Sequence, residues 1–450
     1  MIFPTIKILL FFSLIISSLF AEEATPFDQE LLAGQVQRIT AHEPIGEIPT
    51  IQTFNAKNNA ARRKGFHYKL YLPKEYHDNP KKRYPVMFTQ SSGGNANFFA
   101  AKARYQNHNW IVAMLVEASN KEQDSLNCFL AVHDDVTRRC RVAKGLKVVT
   151  GTSGGARNSS LYALLRPGIN AVFFQAAGFV WGLEKEITWK LPSEYPQNII
   201  LAGCFGDRDY NRGEIPQMAR QIKDKSRFKS FCFKGRHSPT STKTSDIALD
   251  WIEEQLFFNE PKPFEKSELF NKYFPLHSYE APDKYSYYWY FTSLRARIDQ
   301  TEDPYKKYLF CRKLAKLSKR PELRRSSATK RIMAEVNRIA SLAKKDKKVK
   351  RENKIKKQWL KVQTQEETTQ AVLTQSYQDG KVQTNKATLT SVPSFTFDAE
   401  TKQALMDYKE LAHKFIKTFP KSYYSQIAKD RLESWGYEYD LHDMFYTENN

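Results

Sequence analysis

Residues 147–156 have the sequence KVVTGTSGGA, a β-branched run that ends in Gly-x-Ser-x-Gly and continues into helix-compatible sequence. A serine hydroxyl is a poor nucleophile until a base takes its proton, and hydrolases present it on a tight strand-to-helix turn. Residues 156–165 contain neither Pro nor Gly, and Arg166-Pro167-Gly168 ends the segment, so a helix is predicted directly after the turn. The stretch therefore predicts a nucleophile at Ser153.

Glycines around this serine predict how a developing negative charge would be held. Gly151 and Gly155 let neighbouring backbone come close to the turn, and Gly154 offers its backbone N–H to an oxyanion. A second N–H donor is expected from the loop QSSGGN at residues 90–95, which follows an early predicted strand. Ser92 is the candidate donor in that loop.

A histidine and an acid are needed to activate such a serine. The predicted strand at residues 198–202 leads into a turn where Asp207 and Asp209 compete for the role of the acid. Asp209 is favoured because it fits a Gly-x-x-Asp turn that starts at Gly206. His237 follows the last predicted strand and a glycine turn, so the candidate triad occurs in the order Ser, Asp, His.

Strand and helix patterns alternate through the region that carries these residues. The strand candidates are residues 66–72, 86–89, 111–116, 147–150, 171–176, 198–202 and 228–233. The helix candidates are residues 126–140, 156–165, 215–223 and 247–257. This alternation predicts an α/β fold with a mostly parallel sheet and helices on both of its faces, followed by a mainly helical C-terminal region. Reactive groups in such sheets collect at the carboxyl ends of the strands.

Composition divides the chain into segments. They are a signal peptide (1–21), an N-terminal extension (22–60), a catalytic domain (61–260), an aromatic and then basic helical region (261–361), a Thr/Gln-rich linker (362–395), and a C-terminal helical segment like one tetratricopeptide-type helix pair (396–450). The apolar run at residues 8–20 follows Lys7 and is shorter than the ~20 residues that span a membrane. The protein is therefore expected to be exported, to the periplasm or outside the cell, with no transmembrane segment in the mature chain.

The net charge of +21 is concentrated in one part of the chain. Residues 301–361 contain 22 Lys and Arg against 6 Asp and Glu. Three interpretations remain open: an anionic partner surface such as membrane head groups or acidic polysaccharide, a nucleic acid, or solvated helices with no partner. Nucleic acid is disfavoured because no nucleic-acid-binding motif accompanies the charge.

Cysteine and histidine spacing indicates neither a disulfide scaffold nor a metal centre. Among the five cysteines, Cys204 and Cys232 could pair or remain free thiols. No Cys-x-x-Cys or His-x-x-x-His spacing is present, so no metal and no cofactor are expected. The adjacent residues His133-Asp134-Asp135 lack helical ligand spacing and are interpreted as a solvated helix face.

Together these features resemble the α/β-hydrolase superfamily, and within it the secreted carboxylesterases of the polyhydroxyalkanoate-depolymerase, feruloyl-esterase and acetylxylan-esterase kind. The resemblance covers residues 61–260. The similar pieces are Tyr71-Leu72-Pro73, Tyr84-Pro85-Val86, the Gly151–Gly155 turn, the Asp209 turn and Gly235-Arg236-His237. One departure is that such enzymes usually begin the oxyanion loop with His-Gly, whereas this chain has Gln90-Ser91.

The resulting hypothesis is an exported serine esterase that acts on a small-molecule or polysaccharide-linked ester. Ser153 would be the nucleophile, His237 the base and Asp209 the orienting acid, with Gly154 and Ser92 forming the oxyanion hole. Two alternatives are a serine peptidase of the prolyl-oligopeptidase type and a non-catalytic binding protein with this fold and a basic helical surface. The acid and alcohol parts of the substrate depend on loops such as residues 182–195.

Overall fold

The computed structural model describes residues 23–44, 65–94, 108–119, 125–166, 168–179, 199–222, 227–259, 281–379, 381, 383–384 and 395–438. The predicted signal peptide at residues 1–21 and the loop at residues 182–195 lie outside the described residues.

An eight-stranded sheet forms the centre of the molecule. Its strands are β1 Val36–Thr40, β2 His67–Tyr71, β3 Tyr84–Gln90, β4 Ile111–Leu115, β5 Val142–Thr152, β6 Ile169–Gln175, β7 Ile200–Gly206 and β8 Phe228–Phe233. The order across the sheet is β1-β2-β4-β3-β5-β6-β7-β8. The β1–β2 and β2–β4 pairs are antiparallel, and every pair from β4 to β8 is parallel. The predicted mostly parallel sheet is thus confirmed.

Helices cover both faces of this sheet. Four of them follow strands of the sheet: α1 Ser125–Arg139, α2 Gly154–Leu165, α3 Glu214–Gln221 and α4 Thr242–Phe258. Every residue of β4, β6 and β7 is buried. Because successive side chains of a strand point to opposite faces, burial of the whole strand means that both faces are covered.

The C-terminal region is helical, as predicted. It consists of α5 Lys284–Gln300, α6 Pro304–Leu317, α7 Pro321–Arg324, α8 Ser327–Lys345, α9 Lys347–Gln378, α10 Ala399–Thr418 and α11 Tyr423–Glu438, with a two-stranded ribbon of β9 Gln383–Thr384 and β10 Phe395–Thr396. No described helix combines the length and the apolar character needed to cross a membrane.

The main hydrophobic core extends beyond residue 260, where the catalytic domain was expected to end. Aromatic residues of α5 belong to the core that also contains the sheet. Trp289 packs edge-on against Trp110, with ring centroids 6.1 Å apart, and Tyr290 stacks on Phe257 at 4.2 Å. Helix α5 is therefore an integral part of the sheet domain's core, since indole and phenol rings at these distances supply much of its packing.

Two segments differ from their sequence-based descriptions. Residues 36–40 lie in the predicted N-terminal extension, yet they form edge strand β1, whose half-exposed side chains leave no clear apolar period. Residues 362–378 lie in the predicted linker, yet they are the second half of α9. Thr369 Oγ1 donates a hydrogen bond to the carbonyl oxygen of Ala404 in α10, over 3.0 Å. Small polar side chains make this helix contact, so a composition poor in large apolar residues did not reveal it.

The prediction of a solvated face at residues 133–135 is wrong. All three residues are buried on α1. Asp135 accepts hydrogen bonds from the Tyr68 hydroxyl (2.5 Å) and from Arg139 Nε (3.0 Å), and Arg166 pairs with Asp134. These charges tolerate burial because each carboxylate has a cation or hydroxyl partner, mostly from distant parts of the chain. All five cysteines are free thiols.

Candidate active site

Ser153 occupies a strained turn between β5 and α2. Its φ of 58° and ψ of −123° lie outside the regions that a serine ordinarily adopts. A side chain at Gly151 would overlap the carbonyl carbon of Gly155, and a Cβ at Gly155 would lie 2.7 Å from the carbonyl oxygen of Gln90. The two glycines therefore allow the turn to close against its neighbours, as predicted for a serine held at the strand end.

The structure brings Asp209, and not Asp207, to His237. His237 Nδ1 lies 2.8 Å from Asp209 Oδ1, which also accepts the backbone N–H of Asn211 over 2.8 Å. The Asp207 carboxylate instead accepts the backbone N–H of Gly235. This contact suits the imidazole tautomer that donates from Nδ1 to a carboxylate oxygen and has no proton on Nε2.

Gln175 connects the serine turn to the histidine loop, and sequence reasoning missed it. Its backbone carbonyl accepts the N–H of Ser153 over 2.9 Å. Its side-chain Oε1 accepts the N–H of Thr240, three residues after His237, over 3.2 Å. Its Nε2 donates to Thr150 Oγ1 over 2.9 Å. A glutamine that directly follows the apolar run of residues 171–174 in β6 was the available signal, because a buried polar side chain needs partners.

Tyr210 lies against the candidate base, and it too was missed. Its ring centroid is 4.0 Å from that of the His237 imidazole, with 32° between the ring planes. The tyrosine is nevertheless 61% exposed, so part of its surface faces solvent. Its position directly after Asp209 in the sequence was the only available signal.

An ion pair links the helix that follows the Ser153 turn to helix α3. Arg157, one helical turn after Ser153, pairs with Glu214 at the start of α3. Glu214 Oε2 also accepts the backbone N–H of Gly178, which follows β6, over 2.9 Å. The pair joins three backbone segments beside the serine.

The two predicted oxyanion donors lie at neighbouring strand ends. Gly154 is the first residue of α2, so its N–H has no acceptor within the helix. Ser92 belongs to a turn closed by a 3.2 Å hydrogen bond from Gly94 N–H to Ser91 O. This turn follows Gln90, which pairs in register with Gly151 of β5. The loop is thereby held next to the serine turn.

Gln90 begins the candidate oxyanion loop. The amide is buried, and its Oε1 accepts hydrogen bonds from the Tyr162 hydroxyl and from Asn158 Nδ2 of α2. The start of the oxyanion loop is therefore tied to the helix that follows Ser153.

The Ser153 hydroxyl forms no hydrogen bond to His237 within the described residues. In enzyme structures without substrate, catalytic hydrogen bonds are in general often long and shorten only when substrate is bound. The shared anchor at Gln175 keeps the two loops at the same end of the sheet.

A cluster of possible metal ligands lies away from this site. Single ligand atoms of His108, Asp250 and Glu253 lie within 4.8 Å of one another. Arg297 already supplies the positive charge there: its Nη2 lies 2.7 Å from His108 Nδ1 and 3.2 Å from Glu253, and its Nη1 pairs with Asp250. The cluster is therefore an internal ion network that links α4 to α5.

Comparison with solved structures finds similar proteins of low identity. One is a ferulic acid esterase, with 12% identity, a TM-score of 0.35, and coverage of 48% of this chain and 96% of that one. Another is Est1E from Butyrivibrio proteoclasticus, with 15% identity, a TM-score of 0.31, and coverage of 42% and 95%. A third is the acylaminoacyl peptidase of Pyrococcus horikoshii, with 11% identity, a TM-score of 0.34, and coverage of 57% and 44%.

No family model matches the sequence, and no curated protein matches it. The fold is instead evident from the architecture itself. A mostly parallel sheet presents a serine on a strained turn after β5, an aspartate after β7 and a histidine after β8. This chain has the α/β-hydrolase fold.

Proposed function

We propose that the protein is an exported serine hydrolase that cleaves carboxylic esters through an acyl-enzyme. The observation that carries the proposal is the 2.8 Å contact between His237 and Asp209 on loops anchored beside the strained Ser153 turn. The substrate would be a small-molecule ester or an ester attached to a polysaccharide, as the resemblance to secreted carboxylesterases suggests. Export rests on the predicted signal at residues 1–21.

Each group has a defined part in the first half of the reaction. Ser153 Oγ attacks the ester carbonyl carbon while His237 Nε2 takes the hydroxyl proton. Asp209 stabilises the resulting imidazolium through its hydrogen bond to Nδ1. The N–H groups of Gly154 and Ser92 stabilise the oxyanion of the tetrahedral intermediate. The C–O bond to the alcohol then breaks, and the alcohol leaves with the proton from His237.

Water completes the second half. His237 removes a proton from a water molecule, which attacks the acyl carbon attached to Ser153. The second tetrahedral intermediate collapses, Ser153 regains its proton, and the free acid leaves. Asp209 suits this cycle because it is 1% exposed and its Oδ1 is held by two hydrogen bonds, so the imidazole keeps one orientation.

Two measurements on the purified protein test the proposal. Ser153→Ala is expected to lower hydrolysis of p-nitrophenyl acetate by on the order of 10⁵-fold. It should also abolish covalent labelling by a fluorophosphonate probe. Ser341→Ala, which removes an exposed serine of α8, is the control and should change neither result.

Other outcomes would favour other functions. Full ester hydrolysis by Ser153→Ala would contradict the proposal. Cleavage of dipeptide amides with no cleavage of esters would favour a peptidase. A wild-type protein that neither hydrolyses esters nor reacts with the probe would favour a binding protein with this fold. Recovery of the mature N-terminus near residue 22 from an exported fraction would support export, and retention of residues 1–21 in the cytoplasm would contradict it.

A further inference from the structure

Helices α8 and α9 carry a dense positive charge that the acidic residues of the described chain leave largely unneutralised. Residues 327–361 contain 13 Lys and Arg but only 3 acidic residues. Glu335 pairs with an arginine of α5, and Asp346 accepts the backbone N–H groups of Lys348 and Val349 in the first turn of α9. Glu352 is buried, where it accepts hydrogen bonds at the start of α11. Each acid thus has another role in the fold.

Six of the cations lie along one side of α9, at spacings of three or four residues except for one adjacent pair. These six exposed residues, here called the α9 basic stripe, are Lys347, Lys350, Arg351, Lys354, Lys357 and Lys361. Lys348, which is not part of the stripe, pairs with Asp303. It is the only cation of residues 327–361 that forms an ion pair with an acid of the described residues. No stripe residue forms an ion pair with a described acid. Like charges at these spacings destabilise a helix, and external anions would relieve the repulsion.

The charge continues onto α8. Arg331, Arg338 and Lys345 are exposed and recur every seven residues, so they form one row along that helix. The row ends at Lys345, two residues before the stripe begins at Lys347. The stripe itself is about 21 Å long, from the rise of 1.5 Å per residue. The partner must therefore present many anionic groups over a distance of this size.

Two exposed leucines lie close in sequence to these cations. Leu342 is 55% exposed and follows Arg338 by four residues on the outer side of α8. Leu360 is 49% exposed and follows Lys357 by three residues on α9. A hydrophilic polyanion would leave both side chains in water. A lipid surface accommodates cations at its phosphate groups and apolar side chains at the boundary between head groups and acyl chains.

We propose that the exposed faces of α8 and α9 bind the surface of an anionic lipid bilayer. The cations would contact lipid phosphates, and Leu342 and Leu360 would enter the boundary below them. Binding would be peripheral, because no described helix is suited to crossing the bilayer. This proposal is independent of ester hydrolysis, since neither helix contributes a residue to the site around Ser153.

Vesicle flotation with the full chain tests the proposal. The protein is expected to float with vesicles of phosphatidylcholine mixed with phosphatidylglycerol, to remain behind with pure phosphatidylcholine, and to dissociate as salt is raised. A stripe variant should bind the anionic vesicles at least about 100-fold more weakly, since each basic residue near such a surface contributes ~1 kcal/mol. Its substitutions are Lys350→Gln, Lys354→Gln, Lys357→Gln and Lys361→Gln.

A matched variant removes the same charge elsewhere. It carries Lys402→Gln, Lys414→Gln, Lys417→Gln and Lys421→Gln, all at exposed positions in or just after α10. This control should bind anionic vesicles within about twofold of the wild type, because its substitutions lie off the proposed surface. Gln and Lys have similar helix propensities, so both variants should keep the wild-type circular dichroism spectrum. Hydrolysis of a soluble ester should be the same in both variants.

A third variant separates lipid from other polyanions. Leu342→Gln combined with Leu360→Gln should weaken vesicle binding about 10-fold, as expected for partial burial of two leucines, and should leave retention on heparin unchanged. The proposal is overturned if the wild type does not float with anionic vesicles or if the stripe variant floats equally well. It is also overturned if the leucine variant binds vesicles as the wild type does, or if heparin or duplex DNA binds the wild type at higher salt than the vesicles do.

Discussion

His237 Nδ1 lies 2.8 Å from Asp209 Oδ1, although the two residues are 28 positions apart in the sequence. Asp209 reaches the imidazole because its turn is closed by a 3.0 Å hydrogen bond from its own N–H to the carbonyl oxygen of Gly206. Asp207, on the same turn, holds the backbone N–H of Gly235 instead. Two neighbouring carboxylates therefore have separate roles. Asp209 contacts the imidazole of His237, and Asp207 holds the loop that carries His237.

This separation predicts different effects of two equivalent substitutions. Asp209→Asn should lower kcat for ester hydrolysis by on the order of 10⁴-fold, because an amide no longer holds the Nδ1 proton or stabilises the imidazolium. Asp207→Asn keeps an oxygen that can accept the N–H of Gly235, so kcat should fall less than about 10-fold. Steady-state kinetics on p-nitrophenyl acetate measures both. Equal losses would contradict the assignment of Asp209.

Tyr210 is expected to hold the imidazole plane by contact rather than by its hydroxyl. Tyr210→Ala should lower kcat about 3- to 10-fold, the factor that corresponds to the ~0.5–1.5 kcal/mol of an aromatic pair. Tyr210→Phe keeps the ring and should restore kcat to near the wild-type value. Kinetics that report kcat and KM separately will check this. If kcat fell as much in Tyr210→Phe as in Tyr210→Ala, the effect would be due to the hydroxyl.

Gln175 should matter for both stability and catalysis, because it holds the turn of Ser153 and the loop of His237. Gln175→Ala leaves the buried Thr240 N–H without its acceptor, which costs about 1–3 kcal/mol of unfolding free energy. Urea denaturation measures this cost, and kcat should fall in the same variant. Gln358→Ala, at an exposed position of α9, is the control and should change both quantities little. An unchanged kcat in Gln175→Ala would show that the histidine loop is positioned without this contact.

Arg297 compensates the buried carboxylate of Glu253 and the partly exposed carboxylate of Asp250 at the junction of α4 and α5. Arg297→Met leaves Glu253 buried beside Asp250 without its guanidinium partner and should destabilise the fold by about 3–5 kcal/mol. Combining it with Glu253→Gln removes the uncompensated charge and should recover part of the loss. Urea unfolding of the single and double variants measures the coupling. Additive losses in the double variant would contradict it.

The same network predicts how stability depends on pH. Burial opposes ionisation of Glu253, but Arg297 and His108 outweigh it and hold the pKa of this carboxyl below its ordinary value of 4.5. Its stabilising contribution is therefore complete above pH 4.5 and is lost as the pH falls through the lower folded-state pKa.

His108 acts in the opposite direction. Burial opposes its protonation, but the Glu253 carboxylate and hydrogen bonds to Asp246 and Glu253 raise its pKa above 6.5. Its contribution is complete below pH 6.5 and is lost as the pH rises through the raised value. The wild type should therefore lose stability as the pH falls below 4.5 or rises above 6.5. In Arg297→Met combined with Glu253→Gln, the free energy of unfolding should depend less on pH in the acid range. Unfolding free energies across this range provide the measurement.

The sequence was sufficient to predict a strand or a helix where the segment itself has a clear residue pattern. The strands at residues 86–89, 147–150 and 228–233 were predicted from apolar and β-branched runs, and each lies within an observed strand. Helix α2 was predicted to within two residues of its start because residues 156–165 contain neither Pro nor Gly. Edge strand β1 and the second half of α9 were not predicted, because their packing partners lie far away in the sequence.

The candidate site likewise contains residues that the sequence predicted and residues that it did not. Ser153 and its glycines were identified because the strain of the turn is local and only small residues permit it. Gln175, Tyr210 and the pair of Arg157 with Glu214 were missed, since each acts through a contact that spacing alone does not reveal.

The sequence by itself determined the alternation of strands and helices, the turn at Ser153 and the concentration of positive charge in residues 301–361. These properties depend on backbone preferences, side-chain size and composition, all of which act over a few residues. The sequence favoured Asp209 over Asp207 because of its turn, but only the tertiary structure shows the contact of Asp209 with His237 and the burial of Asp134 and Asp135. A carboxylate's environment depends on the partners that the fold brings within hydrogen-bonding distance, and those partners come from strands and helices far apart in the chain.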